Sequence, residues 1–374
     1  MISCVIDNII FSLQRSGGIS ILWKNLIKRM TRDKRLYVRF LEYDDATNNV
    51  IRETFAINPK NYVNLLSSTG LMLKRYINFC NSQITSPYIF HSTYYRTDRN
   101  PKSFNVTTVH DFIYEKYVRE PRKIVHKTQK WSAIRKSDAI ICVSENTKKD
   151  LLYYLPEIDE SKITVVHNGV DPAFKKLNGG KNYFPIPFAP QQYVLYVGAR
   201  NPHYKNFELV VEACAQAGLP LVLTGGGGLT KHERALLDSR LGHSSYLKTG
   251  IVETRSLNEL YNNALALVYP SKYEGFGLPI IEAQKAGCPV IAFNDSCIPE
   301  VMGDGGICID NKSPEGVVEA LNFIYDNPEE TLAMVERGYA NANNYSWDKN
   351  YFETISVYAK LWEERTGRDS RIPY

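Results

Sequence analysis

The sequence predicts an α/β protein with two domains, each built on a doubly wound parallel sheet. Short apolar segments alternate with amphipathic helical patterns along most of the 374 residues, which is typical of repeated βαβ units. Residues 172–192 interrupt this alternation with four prolines, two glycines and no periodicity. We therefore expect a first domain over residues 1–173 that is completed by a C-terminal helix over 349–374, a linker over 174–192, and a second domain over 193–348.

The composition excludes several classes of protein. The seven cysteines are scattered, with no C-x-x-C pair and no nearby histidine cluster, so neither a zinc site nor a disulfide framework is expected. The N-terminus lacks a basic leader, and no apolar run approaches the roughly 18 to 20 residues that cross a bilayer. We expect a protein that stays on the cytoplasmic side.

Charge is distributed unevenly along the chain. Residues 1–173 carry a net charge of +9 and the remainder carries −4. A basic cluster follows the apolar helical pattern that begins near Ile19, and it consists of Lys28, Arg29, Arg32, Lys34 and Arg35. It is either a solvated helix end or a contact for anionic lipid head groups or a lipid-diphosphate acceptor. Nucleic acid is not expected, because the aromatic residues are not interleaved with basic ones.

In the first domain, apolar segments predict strands that alternate with helices. The strands are expected at residues 2–6, 37–41, 89–90, 106–109, 138–143 and 163–166. Helices are expected from Ile19 and over residues 69–81, 122–136 and 148–155, with Ser144 as the N-cap of the last. The glycine pair Gly17 and Gly18 precedes the first of these helices, where it closes a turn or lets a ligand approach the backbone.

The second domain repeats this alternation. Strands are expected at residues 193–197, 219–224, 246–252, 264–269 and 289–293, and helices at 207–217 and 257–264. The second of these strands runs into four successive glycines, Gly225 to Gly228. These glycines offer no side-chain chemistry, so they serve either flexibility or a close approach of the backbone to a ligand.

Residues 272–282, KYEGFGLPIIE, form the most informative segment. They follow an apolar strand, and Gly275 and Gly277 precede a helix that has Pro279 in its first turn. The N-terminus of such a helix is an anion site, because its amides are unpaired and its dipole end is positive. Glu274 and Glu282 are spaced so that both carboxylates can face one cleft. Taken singly, the turn is usually only a turn and the glutamates usually lie on a solvated face.

Other polar side chains are expected where strands end. His110 and Asp111 follow the strand over 106–109, and Arg200 and Lys205 follow the strand over 193–197. Ligand sites of open α/β sheets lie at these ends. The alternatives are a packed, hydrogen-bonded histidine and a solvated basic loop.

The segment over 272–282 resembles the E-x7-E signature of retaining glycosyltransferases of family 4, and Glu274 and Glu282 match its two glutamates. Similar family motifs occur at residues 143–151 (VSENTKKDL), 168–171 (NGVD), 198–206 (G-x-R…K-N) and 299–306 (PEVMGDGG). The resemblance covers nearly the whole chain and is thin only over residues 40–100, on the acceptor side. It implies the GT-B fold, in which two Rossmann-like domains share an interdomain cleft.

The resemblance also implies roles for individual residues. The catalytic set would be His110, Arg200, Lys205 and Glu274. Donor-binding residues would be Gly17, Gly18, Gly225, Val252, Gly275, Phe276, Gly277, Leu278 and Glu282. Asp111, which orients the imidazole or touches the acceptor, and Ser144 would lie on the acceptor side.

No cofactor is expected. The sequence lacks an Asp-x-Asp triplet, so we expect the cations and backbone amides to neutralise a departing diphosphate without a metal. The substrates would be a nucleotide diphosphate sugar, with a slight preference for a mannose-type donor carrying guanosine diphosphate, and a glycan or lipid-linked acceptor. The alternatives are a nucleotide-sugar epimerase or phosphorylase on the same fold, or a catalytically silent nucleotide-sugar-binding subunit.

Overall fold

The structure is a computed structural model, and it describes residues 1–119, 122–177 and 184–370. The chain divides into two compact units. One consists of Met1–Gly169 together with Trp347–Tyr374, and the other consists of Val170–Ser346.

The first unit contains a parallel sheet whose central strands are almost entirely buried. Its strands are β1 (Ile2–Asp7), β2 (Leu36–Tyr43), β3 (Tyr62–Leu66), β4 (Tyr88–Ser92), β5 (Ser103–Val109), β6 (Ala139–Cys142) and β7 (Ile163–Val165). They lie in the order β3-β2-β1-β4-β5-β6-β7, and every neighbouring pair is parallel. The order reverses direction between β1 and β4, so the predicted doubly wound sheet is confirmed.

The helices of the first unit connect these strands. They are α1 (Ile10–Leu13), α2 (Gly18–Met30), α3 (Leu71–Lys74), α4 (Ile113–Tyr117), α5 (Arg122–Lys136) and α6 (Glu145–Tyr154). An apolar stripe runs along α2, where Leu22, Trp23, Leu26 and Met30 recur at helical spacing and are buried. This stripe fixes the helix against the sheet, so its first turn lies near the C-terminal ends of the strands.

One expectation for the first unit was wrong, and one strand was missed. The helix expected over residues 69–81 is only the four residues of α3, because the chain then turns so that the Phe79 N–H donates to the Thr97 carbonyl at 2.9 Å. The strand β3 was not predicted, since its five residues, YVNLL, carry little alternation.

The second unit contains a second parallel sheet. Its strands are β8 (Val194–Val197), β9 (Leu221–Thr224), β10 (Tyr246–Gly250), β11 (Ala266–Tyr269), β12 (Val290–Phe293) and β13 (Ile307–Ile309). Their order is β10-β9-β8-β11-β12-β13, with the reversal between β8 and β11. Its helices are α7 (Phe207–Ala217), α8 (Lys231–Arg240), α9 (Thr254–Asn263), α10 (Leu278–Ala286), α11 (Ile298–Met302), α12 (Pro314–Asp326) and α13 (Pro328–Ala342).

The boundary between the units differs from the expected one. The division falls after Gly169, and the described part of the expected linker is bound to the second unit rather than lying apart from it. Phe174 is buried against Tyr261, with ring centroids 5.8 Å apart, and the Lys175 N–H donates to Asn258 Oδ1 at 2.9 Å. Residues 178–183 of that linker lie outside the described residues.

The last helix, α14 (Trp347–Thr366), belongs to the first unit. Tyr358 hydrogen-bonds His91 Nδ1 at 2.6 Å, and the Tyr351 hydroxyl donates to Asp33 Oδ2 at 2.8 Å. The helix begins two residues before the expected start, and residues 371–374 of the expected segment lie outside the described ones. Within the described ranges, none of the helices combines the length and apolar character needed to span a bilayer.

Candidate active site

In the second unit, two loops meet where the strand order reverses. One follows β8 and carries Arg200 and Lys205, and the other follows β11 and carries Glu274. Because β8 and β11 are parallel neighbours, their C-terminal ends open on the same edge of the sheet. This is where open α/β sheets place their ligands.

Lys205 and Glu274 form an ion pair across these loops. Their side chains are only 15% and 11% exposed, so the two charges meet in a partly desolvated position. Lys205 Nζ also lies 5.7 Å from the ring centroid of Tyr269 and 5.6 Å from that of Tyr204. Two residues that are distant in sequence therefore present a cation and a carboxylate at one point.

The turn after Glu274 is fixed by two side chains that the sequence did not reveal. The Glu274 N–H donates to Ser296 Oγ at 3.0 Å, and Cys297 Sγ lies 3.2 Å from the carbonyl of Glu274 and 3.3 Å from that of Phe276. Gly277 then adopts a φ of 93°, a left-handed conformation that favours glycine, and α10 begins at Leu278. Gly275 and Phe276 are thus held in a defined turn at the positive end of the helix.

Glu282 lies on the second turn of α10 and is partly buried. The Tyr261 hydroxyl donates to its Oε2 at 3.1 Å. Burial raises the pKa of Glu282 to about 7, and the nearby charge of Asp171 adds to this rise. The carboxyl therefore titrates at a higher pH than that of a solvent-exposed glutamate.

The Arg200 guanidinium is fully enclosed. Its Nε donates to Glu233 Oε1 at 3.0 Å, and its two other nitrogens donate to the carbonyls of four successive glycines at 2.9–3.1 Å. The glycines are Gly225, Gly226, Gly227 and Gly228. Glu233 also closes a capping box with Thr230 at the start of α8. Arg200, the residue expected to bind the diphosphate, thus makes all of these hydrogen bonds within its own unit.

Among the four glycines around Arg200, Gly226 is required by space as well as by conformation. A Cβ on Gly226 would lie 2.5 Å from the Gly198 carbonyl oxygen and 2.6 Å from an Arg200 nitrogen. Gly225 adopts a φ of 78°. Val252, the other expected contact for the donor, is partly buried between β10 and α9.

In the first unit, His110 follows the last residue of β5. Its N–H lies 3.4 Å from the hydroxyl of Tyr95, which is itself buried and has a φ of 45°. Burial, together with the charge of Lys130, lowers the pKa of His110 to about 3. The imidazole is therefore neutral at physiological pH.

The remaining predicted residues of the first unit have local contacts. Asp111 Oδ1 accepts a hydrogen bond from the Ile113 N–H at 3.0 Å. Ser144 is buried and caps α6 by accepting from the Thr147 N–H at 3.1 Å, as the sequence predicted. Gly17 is extended and precedes α2, whose first residue is Gly18.

The basic cluster near the end of α2 is partly neutralised within the first unit. Arg29 Nε lies 2.8 Å from Asp348 Oδ1, and an Arg35 nitrogen lies 2.7 Å from Asp33 Oδ2. These pairs reduce the charge that the cluster can offer to a partner.

Two family models match the chain, one after the other. The model for glycosyltransferase family 4 matches residues 16–174, and the model for glycosyl transferases group 1 matches residues 184–341. The two matches adjoin in the region where the units divide. The chain belongs to glycosyltransferase family 4.

Relatives of this family 4 chain include two mannosyltransferases of Escherichia coli. O-antigen chain mannosyltransferase B of Escherichia coli is 34% identical over 179 residues, which are 46% of this chain and 46% of that protein. The serotype-specific mannosyltransferase WbdA of Escherichia coli is 26% identical over 285 residues, which are 71% of this chain and 34% of that protein. The matches thus span half or less of the length of these two relatives.

Solved structures confirm the fold of the family 4 chain. Sucrose-phosphate synthase from Thermosynechococcus elongatus superposes with a TM-score of 0.72 at 15% identity, covering 97% of this chain and all of that one. With its two parallel-sheet α/β units, the chain has the GT-B fold that the sequence predicted.

The structure of the family 4 chain brings some of the predicted site residues into contact with one another. In the second unit it joins Lys205 to Glu274, and it places Arg200 against Gly225. Glu233 was missed, although the Thr230-x-x-Glu233 pattern that begins α8 could have indicated a capping box. No sequence signal marks Ser296 or Cys297, which act on Glu274 from the loop before α11.

Proposed function

We propose that this chain is a retaining glycosyltransferase that moves a hexose from a nucleotide diphosphate sugar to a glycan or lipid-linked acceptor, without a metal. The observation that carries the proposal is the pairing of Lys205 with Glu274 beside the start of α10. A cation and a helix N-terminus suit a diphosphate, and a carboxylate next to them suits sugar hydroxyls. Membership of glycosyltransferase family 4 supports this assignment.

In the proposed complex, Lys205 and the amides of Gly275, Phe276, Gly277 and Leu278 hold the donor diphosphate. These groups stabilise the charge that develops on the departing phosphate, which is the part of the reaction that most needs electrostatic help. Each well-placed donor of this kind contributes about 2.7–4 kcal/mol to lowering the barrier. Arg200 joins them only if it leaves its contacts with Glu233 and the glycine carbonyls.

Glu274 binds hydroxyls of the donor sugar, and Glu282 binds those of the ribose. The acceptor hydroxyl oxygen bonds to the anomeric carbon on the face from which the phosphate oxygen leaves, and that phosphate oxygen takes the hydroxyl proton. His110 is neutral at physiological pH because burial and Lys130 lower its pKa, so we assign it hydrogen bonding to the reacting sugar rather than proton donation.

The donor we propose is guanosine diphosphate mannose, and the setting is synthesis of a cell-surface polysaccharide such as O-antigen. The two mannosyltransferases of Escherichia coli support the sugar. We propose a cytoplasmic protein whose first unit touches the inner face of the membrane, and the basic balance of residues 1–173 supports that contact.

A thermal-shift panel of guanosine, uridine, adenosine and deoxythymidine diphosphates tests the donor site. We expect guanosine diphosphate to raise the melting temperature most, and Lys205→Met to reduce that shift. The anomeric configuration of the product with guanosine diphosphate mannose, read by NMR, tests retention.

The same assays distinguish the rival functions. Turnover of the sugar nucleotide without acceptor would identify an epimerase. Nucleotide binding without any transfer or hydrolysis would identify a silent subunit.

A further inference from the structure

A buried lysine lies beside the turn that carries His110. Lys130 is on α5, and its side chain is 0% exposed. Its Nζ donates to Glu115 Oε2 at 2.6 Å and to the Asp111 carbonyl at 2.9 Å, and it lies 4.1 Å from the ring centroid of Phe112. One ammonium group thus contacts three of the five residues that follow His110.

Glu115 is fixed as firmly as Lys130. It is on α4 with a side chain only 1% exposed, and its second oxygen accepts a hydrogen bond from Trp131 Nε1 at 3.1 Å. Removing two charges from water is costly, and an apolar pair of the same volume serves stability as well or better. Stability alone therefore does not explain why a buried Lys–Glu ion pair lies beyond the end of β5.

The turn is also held from its other side. The His110 N–H lies 3.4 Å from the Tyr95 hydroxyl, and Tyr95 adopts a left-handed φ of 45° that is unfavourable for a bulky residue. Tyr95 thus holds the backbone N–H of His110, and Lys130 holds the backbone carbonyl of Asp111. Strain and buried charge therefore meet at the turn that carries His110.

We propose that Lys130 is a positioning residue, which fixes the His110–Asp111 turn through its hydrogen bond to the Asp111 carbonyl. The inference rests on the proposed function of His110. Lys130 itself has no contact with a substrate in this role, because its donors are directed to Glu115 and Asp111.

The groups around His110 agree with this role. Among the described residues, the titratable or charged ones that face it are Lys130 on α5, Tyr95 in the loop after β4 and His91 on β4, with Asp111 next in the chain. Burial lowers the pKa of His91 to about 3, so His91 brings no charge. Burial raises the pKa of Tyr95, which therefore stays neutral as well. Lys130 is the cation that opposes protonation of His110.

The test compares Lys130→Met/Glu115→Gln with the wild-type chain. The double variant removes both buried charges and keeps an acceptor for Trp131, so it avoids the unpaired carboxylate that Lys130→Met alone would leave. The imidazole signal of His110, assigned by its loss in His110→Gln, is titrated by NMR. We expect its midpoint to rise, because the Lys130 charge that opposes protonation is gone, and to stay below that of a free histidine, because burial still lowers the pKa.

Steady-state kinetics with guanosine diphosphate mannose supply the second readout. We expect kcat to fall about tenfold or more with little change in the donor KM, because the donor is bound by the second unit. Lys136→Met, an exposed position on the same helix, is the matched control and leaves both readouts as in the wild type. We expect Lys130→Arg, which keeps the positive charge, to give the same His110 titration midpoint as the wild type.

A double variant that keeps the wild-type kcat and His110 midpoint, and loses only thermal stability, would overturn the proposal. Failure of the proposed function has a different signature. In that case the wild-type chain transfers no sugar, or His110→Gln is fully active. The NMR titration still reports whether Lys130 affects the protonation of His110.

Discussion

The Arg200 guanidinium and the Glu233 carboxylate form a buried ion pair, with Nε 3.0 Å from Oε1. The Arg200 side chain is 0% exposed, and the carbonyls of Gly225 to Gly228 accept its remaining hydrogen bonds. An arginine used only to bind phosphate would leave donors directed outward. Arg200 therefore also organises the loop that follows β9.

Arg200→Ala should lower the free energy of unfolding by about 3–5 kcal/mol in the absence of any nucleotide, because Glu233 would remain buried without its partner. Urea denaturation measures this loss. The matched control is Arg240→Ala, since Arg240 pairs with Glu212 at 3.2 Å on the surface and should change stability by less than about 1 kcal/mol. Unchanged stability of Arg200→Ala would restrict Arg200 to a role in ligand binding.

Gly226→Ala should be strongly destabilising, whereas Gly228→Ala should be nearly neutral. Gly226 has a φ of 66°, and its added Cβ would lie 2.5 Å from the Gly198 carbonyl oxygen. The left-handed conformation alone costs about 1–2 kcal/mol for a residue with a side chain. A Cβ on Gly228 meets nothing within 4 Å, so this variant is the control in the same loop. Equal melting temperatures for the two variants would contradict the close packing of this loop.

The sequence predicted the parallel sheets and the strand ends well, because buried parallel strands are short apolar runs that stand out between helices. It therefore placed Lys205 and Glu274 on loops that follow β8 and β11, and the reversal of strand order between those strands brings the two side chains together.

Contacts that depend on the backbone of distant loops could not be predicted. Whether Arg200 turns towards a ligand or towards glycine carbonyls depends on where Gly225 to Gly228 lie, and a run of glycines does not specify that position. The pairing of Lys130 with Glu115 could not be predicted either. A lysine in a helix as basic as α5 is usually exposed to solvent, so nothing in the sequence indicated that Lys130 is buried. The short α3 shows how tertiary contacts override a helical pattern.

Lys205→Met and Glu274→Gln should separate nucleotide binding from sugar transfer. In the structure the two residues neutralise each other, so a donor diphosphate has to replace Glu274 as the partner of Lys205. We expect Lys205→Met to weaken binding of guanosine diphosphate about tenfold or more. Glu274→Gln should bind it as tightly as the wild type or more tightly, because the competing carboxylate charge is gone, while kcat falls. Isothermal titration calorimetry and steady-state kinetics measure the two effects.

The outcome that would contradict this separation is a loss of affinity for guanosine diphosphate in Glu274→Gln as large as that in Lys205→Met. Guanosine diphosphate carries no hexose, so Glu274 would then contact the nucleotide itself. Lys312→Met is a suitable control, since Lys312 pairs with Asp295 at 2.7 Å and is 35% exposed.

Glu282 should make stability and nucleotide binding depend on pH near neutrality. Burial raises the pKa of Glu282 from 4.5 to about 7 in the folded chain, so the native state holds a proton that the unfolded state releases. The contribution of this group to stability is therefore full below about pH 4.5 and is lost as the pH rises through 7. Glu282→Gln has no carboxyl to ionise, so its stability should not fall in this way. The free energy of unfolding of Glu282→Gln minus that of the wild type should therefore increase by up to about 3 kcal/mol as the pH rises from 4.5 to 8.

Nucleotide binding should show the opposite dependence in the wild type. A ribose hydroxyl donates to an ionised carboxylate more strongly than to a protonated one, so affinity for guanosine should rise as the pH passes through 7. Guanosine has no phosphate that titrates in this range, and calorimetry in buffers of different ionisation enthalpy would detect the proton released on binding. In Glu282→Gln the affinity should be lower and independent of pH between 6 and 8. A parallel pH dependence in both proteins would show that Glu282 does not bind the ribose.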